Sequence, residues 1–243
     1  LMGAGVLDGE TVGLLGSAGA DEELFHEVGA ELRAAGIDPV EALIPDSGDD
    51  INAARTDTEL ALERFRTEGV TVTIRASPVA VGLGTAADIG YETTWVQIPP
   101  IGASAMTAEG IELDYVDGML TLMPTAIGTV DQLTLADDPA VAECVATIEA
   151  NSEFTVDFDP DAEATILAHA INGCGIATIL EMAAIAAGPE LTNESFGTAL
   201  ASLGEFEMAG FPSAALGPDD TDAAGAGRLA AFSAADEAYV FVD

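Results

Sequence analysis

Residues 11–74, TVGLLGSAGADEELFHEVGAELRAAGIDPVEALIPDSGDDINAARTDTELALERFRTEGVTVTI, decide the fold. Thr11-Val12-Gly13-Leu14-Leu15 is a short apolar run entered from the turn Asp8-Gly9, and it reads as a buried strand. Residues 16–20 form a loop of small side chains. Asp21, Glu22 and Glu23 then put negative charge where a helix N-terminus favours it. Leu24, Phe25, Val28, Leu32 and Ala35 recur at helical spacing until Gly36 closes the segment. Val40 to Ile44 reads as a second strand. Asp49-Asp50 opens a second helix, with Ile51, Ala54, Thr58, Leu62 and Phe65 on one face, and Gly69 ends it. Val70 to Ile74 is rich in β-formers. The order is β-α-β-α-β, which predicts an α/β fold with a doubly wound parallel sheet. Ligands of such sheets sit beyond the carboxyl ends of the strands. The loops to watch are therefore 16–20 and 75–78.

Downstream, residues 79–90 are interrupted by glycines, and Trp95 to Ile98 reads as a strand stopped by Pro99-Pro100. Met119 to Met123 is another apolar run, closed by Pro124. The character then becomes helical. Pro139 to Ala150 reads as a helix capped near Asp138, 162–187 as a long Ala-rich helix, and Thr192-Asn193-Glu194 as the start of a third, running to about Leu203. The tail, 205–243, is turn-rich with strands near 228–232 and 239–242. No internal repeat of fixed period is evident.

Composition limits the function. A chain of 243 residues with 49% hydrophobic residues can bury a sizeable core in one large domain or two lobes. Against 43 Asp and Glu stand six basic residues, all Arg, for a net charge of −37. Phosphate contacts need Lys and Arg, so a basic nucleic-acid surface is excluded, and anionic membranes would repel the chain. The acids are spread along the sequence, as on a solvated acidic surface, or on a protein adapted to a saline medium in which salt screens self-repulsion. The apolar residues form no uninterrupted run of about 18, so no transmembrane helix is expected. Leu1-Met2-Gly3 carries no basic n-region of a signal peptide.

Four motifs come close to known chemistry. Leu15-Gly16-Ser17-Ala18-Gly19 misses the nucleophile elbow at its first glycine, and the two histidines, His26 and His169, are poorly placed as a base. Gly82-Leu83-Gly84-Thr85-Ala86-Ala87 matches the permissive G-x-G-x-x-A, but Val79-Ala80-Val81 is thin as the strand before it and little helix is expected after. Asp157-Phe158-Asp159-Pro160-Asp161 opens like a calcium loop, yet Ala162 stands at the turn glycine and Ala168 at the twelfth position. Cys144 and Cys174 lack metal-ligand spacing, which leaves a disulfide or two buried thiols. No cofactor, metal site or catalytic residue is assigned, and an enzyme is not expected.

Four segments together resemble the type I periplasmic-binding-protein family, in its branched-chain amino acid and amide branch. Residues 7–15 (LDGETVGLL) are similar to the strand opening the second lobe, with Glu10 where the family often has Lys. Asp138 to Cys144 resembles a helix start. Residues 170–174 through 188–192 resemble the long helix that ends in A-G-x-x-L-T. Phe206 to Gly210 with Leu216-Gly217-Pro218-Asp219-Asp220 resembles the C-terminal hinge region. The order and spacing of all four carry the resemblance over nearly the whole chain.

The resemblance implies an extracytoplasmic protein, periplasmic or cell-surface, with any lipid anchor ahead of Leu1. It would capture a small amino acid or amide for an ABC transporter permease by hinge closure. A sensory or regulatory ligand-binding module shares the fold and is the alternative. The resemblance assigns 1–120 to the second lobe, 121–203 to the helices of a first lobe whose β-α-β core is absent here, and 204–243 to a return to the second lobe. It implies a cleft lined by Ser17, Ala18, Gly19, Ser77, Pro99, Pro100 and Gly102. The Tyr and Glu that amino-acid binders place after these strands have no match at 18–20, 75–77 or 99–102. An oxidising compartment implies that Cys144 and Cys174 pair.

Overall fold

The computed structural model describes residues 2–19, 22–48, 50–76, 82–108, 110–159, 164–218, 223 and 227–242. Expectations resting on Ala20, Asp21, Asp49, Ser77, Pro78, Val79-Ala80-Val81, Pro160-Asp161-Ala162 and Asp219-Asp220 lie outside the described residues. In chain order the strands are Val12–Ser17 (β1), Val40–Ile44 (β2), Val72–Arg75 (β3), Thr94–Gln97 (β4), Leu120–Met123 (β5), Gly204–Phe206 (β6), Ala214–Leu216 (β7), Arg228–Ser233 (β8) and Ala238–Phe241 (β9). The helices are Glu22–Ala34 (α1), Ile51–Glu68 (α2), Gly82–Asp88 (α3), Ala103–Ala108 (α4), Pro139–Asn151 (α5), Ala164–Ala187 (α6) and Asn193–Leu200 (α7).

Two compact units result: one formed by Leu1–Leu122 with Leu229–Asp243, the other by Met123–Arg228. In the first unit the order β2-β1-β3-β4-β5 is parallel throughout, and the antiparallel pair β8-β9 extends the sheet. This is the doubly wound sheet that residues 11–74 specify. Its two faces differ. Val12, Leu14, Val72, Ile74 and Val96 pack with Phe25 and Leu32 of α1 into a dry cluster. The opposite face meets α2, whose Thr58, Leu62 and Phe65 are fully buried. Asp50 caps α2 by accepting from Ala53 N (3.1 Å), and Gly69, at φ +73°, ends it. Two strand glycines let the helices sit close. A Cβ at Gly13 would lie 2.9 Å from Phe65 and Val70, and one at Gly16 would lie 2.5 Å from Phe25.

The glycine-rich segment corrects one expectation. Gly82 to Asp88 forms a helix where little was expected, with Leu83, Thr85 and Ala86 buried. Burial of one small apolar face outweighs the weak helix propensity of two glycines.

In the second unit, Asp138 caps α5 through Ala140 N (2.8 Å) and Val141 N (3.4 Å), and its other oxygen accepts from Gly210 N (3.2 Å). Thr192 and Ser195 form a capping box on α7. Leu135, Val141, Val145, Val156, Leu167, Ala170 and Ile171 make the core. Ala209 joins that core, β6 pairs with β7, and this unit runs to Arg228. Cys144 on α5 and Cys174 on α6 form a disulfide with Cα atoms 6.0 Å apart, which spans 30 residues of sequence.

By length and composition, Ile166–Ala187 of α6 is apolar enough to cross a membrane, with mean hydropathy 1.6. A search for an uninterrupted apolar run misses it because Asn172, Gly173 and Glu181 break the run. The disulfide fixes this helix to α5, and it also packs against α7.

Candidate functional site

The register of the sheet sets a row of side chains across its carboxyl edge. Leu15 stands opposite Arg75, Arg75 opposite Gln97, and Gln97 opposite Thr121. Side chains directly opposite one another project to the same face, so the polar members of this row are neighbours. Arg75 Nη1 donates to Gln97 Oε1 at 3.0 Å. Gln97 Nε2 donates to the Pro99 carbonyl at 2.8 Å, and Thr121 Oγ1 donates to the Gln97 carbonyl at 2.7 Å. Tyr239 Oη, from β9, donates to the Ile101 carbonyl at 2.9 Å. Arg75, Gln97, Thr121 and Tyr239 are all buried.

One step below this row, Thr73 meets Tyr91 Oη at 3.0 Å and Thr93 Oγ1 at 3.1 Å. Burial raises the phenol of Tyr91 above its ordinary value and pushes Tyr115 and Tyr239 up to about 12. These phenols stay neutral; Tyr115 donates to the Tyr91 carbonyl and Tyr239 to the Ile101 carbonyl, while either oxygen can donate between Tyr91 and Thr73. Arg75 is the buried exception among the arginines of this unit. Arg33 pairs with Glu41 and Asp38, Arg55 with Asp88, Arg64 with Glu68 and Arg66 with Glu63, all on partly or fully exposed surface.

The predicted cleft residues fall as follows. Ser17 is the last residue of β1 and half-buried. Ala18 N donates to the Ile44 carbonyl (2.8 Å), and Gly19, at φ +112°, leads toward α1. The Ile98-Pro99 peptide is cis, Pro100 is half-buried, and the Gly102 carbonyl accepts from Ala105 and Met106 at the start of α4. Residues 17–19 and 99–102 thus follow the carboxyl ends of β1 and β4, on one edge of one sheet with β3 between them. Ser77 lies outside the described residues. His26 is exposed on α1, 3.6 Å from Glu22.

Sequence reasoning missed Arg75, Gln97, Thr121 and Tyr239 as a group. A signal was present, since Thr73 and Arg75 alternate with Val72 and Ile74 along one strand. Alternation alone reads as a face exposed to solvent.

The class is now defined by its architecture: this is the fold of the type I periplasmic binding proteins. A possible leucine/isoleucine/valine-binding protein from Rhodopirellula baltica SH 1 matches with a TM-score of 0.62 at 16% identity, over 100% of this chain and 62% of that one. A substrate-binding periplasmic protein from Ralstonia solanacearum matches with a TM-score of 0.64 at 18% identity, over 99% and 64%. An ABC transporter substrate-binding protein from Desulfitobacterium hafniense, in complex with Leu, matches with a TM-score of 0.52 at 14% identity, over 96% and 61%. This chain therefore spans less than two thirds of the length of these structures. No family profile matches the sequence, and no curated protein matches it.

Proposed function

We propose that this chain is the larger part of an extracytoplasmic solute-binding protein that captures a small polar solute, of the amino acid or amide class, for an ABC importer. The carrying observation is the convergence of the β1 and β4 loops and the buried polar row on one carboxyl edge of a parallel sheet, where ligands of such sheets bind. In this reading Ser17, Ala18, Gly19, Pro99, Pro100 and Gly102 form one wall of the cleft, and Ser77, expected beside them, lies outside the described residues. The first unit is read as the second lobe, and α5 to α7 as the helical layer of the first. Two features support that reading. The strands lying wholly within the second unit, among its described residues, are the short β6 and β7. Its α6 also exposes Ile166, Ile176, Leu180 and Ile185, an apolar surface suited to a further layer. The disulfide fits an oxidising compartment. Binding then proceeds by closure of two walls on the solute, with no bond made or broken.

Thermal-shift screening of the full-length protein against amino acids and small amides tests this. A true solute at about 100 times its Kd adds roughly 2.7 kcal/mol of stability. A flat response to every amino acid and amide at millimolar concentration sinks the proposal.

A further inference from the structure

The second unit carries an acceptor sequence that solute capture does not use. The chain has four asparagines, Asn52, Asn151, Asn172 and Asn193, and Asn193 alone has Ser or Thr two positions on, in Asn193-Glu194-Ser195. Asn-x-Ser/Thr, with x other than Pro, is the acceptor of N-linked glycosylation, a modification of exposed segments in exported proteins. The structure supplies the exposure. Leu191, Thr192, Asn193 and Glu194 are all exposed, and Asn193 is the first residue of α7. The helix cap is complete without it: Ser195 N donates to Thr192 Oγ1 at 3.1 Å, and Thr192 N donates to Ser195 Oγ at 2.9 Å. The Asn193 amide makes no hydrogen bond among the described residues, so its modification costs the fold no contact. Beside it, Leu191 is 59% exposed and offers apolar surface that a saccharide can cover.

We infer that Asn193 is a site of N-linked glycosylation. The inference rests on the extracytoplasmic part of the proposed function, which the disulfide supports, and not on solute capture. In the transfer, Asn193 Nδ2 bonds to the anomeric carbon of a saccharide carried on a polyprenyl phosphate. The bond from that carbon to the carrier's phosphate oxygen breaks, the phosphate leaves with the electron pair, and the amide gives up one proton. Nothing is oxidised or reduced. Ser195 belongs both to the acceptor sequence and to the cap, so transfer precedes closure of the cap or uses its fraying. The first turn of an exposed, eight-residue helix opens at low cost.

The test uses the full-length protein produced in its own cells, with mass-spectrometric peptide mapping across residues 190–200. A saccharide mass is expected on Asn193, and none on Asn52, Asn151 or Asn172. Asn193→Gln should lose the whole added mass and stay folded by circular dichroism. Ser195→Ala should lose it too, but also opens the cap. Ser195→Thr should regain it, which separates loss of the acceptor sequence from loss of the helix.

A bare Asn193 in protein recovered outside the cytoplasm overturns the site alone, as does an added mass that survives Asn193→Gln. Unmodified protein retained in the cytoplasm overturns both the site and the extracytoplasmic reading.

Discussion

Removal of the Cys144–Cys174 disulfide should selectively unfold the second unit. The bond closes a loop across 30 residues, and the loss of loop-closure entropy from the unfolded chain is worth about 3–4 kcal/mol at that length. The unit it supports is small, with a core drawn largely from Val, Leu, Ile and Ala. A stability of about 5–15 kcal/mol is usual for a domain, so the bond supplies a large share. The perturbation is the double variant Cys144→Ala/Cys174→Ala, which leaves no unpaired thiol. Two probes separate the units. Trp95, the single tryptophan, is buried in the first, whereas α5 to α7 hold about half of the described α-helical residues, so their loss shows as a separate early step in far-ultraviolet circular dichroism. With a urea m-value of about 1–3 kcal/mol/M, the midpoint of that helical step should fall by roughly 1–4 M. The Trp95 fluorescence transition should stay in place. An unmoved helical midpoint refutes the entropy argument. A Trp95 midpoint that falls by the same amount refutes the independence of the units.

Four further outcomes are expected. Gly16→Ala puts a Cβ 2.5 Å from the ring of the buried Phe25, so it should lower stability by about 1–3 kcal/mol, and a neutral effect on urea unfolding would show that α1 can shift freely. Burial holds the Tyr115 and Tyr239 phenols at about 12 in the folded chain against an ordinary value near 10, so their contribution is complete below pH 10 and lost as pH rises toward 12. Absorbance near 295 nm should then show delayed tyrosinate formation, and a midpoint at 10 with the fold intact by circular dichroism contradicts the burial. With 43 acids against six arginines, molar potassium chloride should raise the melting temperature by screening self-repulsion, and a melting temperature that falls with salt removes that explanation. Finally, on the proposed reading, these 243 residues should bind leucine, isoleucine, valine and simple amides no better than weakly, because residues 18–20, 75–77 and 99–102 supply none of the Tyr or Glu anchors of amino-acid binders; micromolar affinity in calorimetry would refute that expectation.

The parallel sheet was legible because each device that makes it is local. Asp50 and Gly69 bracket α2 as read, and Asp138 and Thr192 cap α5 and α7. The helix at Gly82 was not legible, since its stability comes from burying Leu83 and Ala86 against distant chain rather than from propensity. The hairpin β6-β7 was hidden for the same reason: each strand has three residues, too few for a period to show. At the candidate site the loops were legible as strand ends, and residues 17–19 and 99–102 do follow strands of one sheet. The polar row was not, because Arg75, Gln97, Thr121 and Tyr239 are separated by up to 164 positions and meet only through register. Cys144 and Cys174 could have been two thiols or one bond on sequence alone, and the placement of α5 beside α6 decides between them.

A net charge of −37 does not by itself exclude an acidic solute, because the opposition falls with distance. A surface carboxylate about 15 Å from the sheet edge opposes a ligand carboxylate by roughly 0.3 kcal/mol in unscreened water. At physiological salt the Debye length is about 8 Å, and at 1 M about 3 Å, so that opposition shrinks to a small fraction even when many acids contribute. On the proposed reading, the acidic exterior bears on solubility and on the salt needed for stability, while selection among solutes falls to the short-range contacts of the cleft wall.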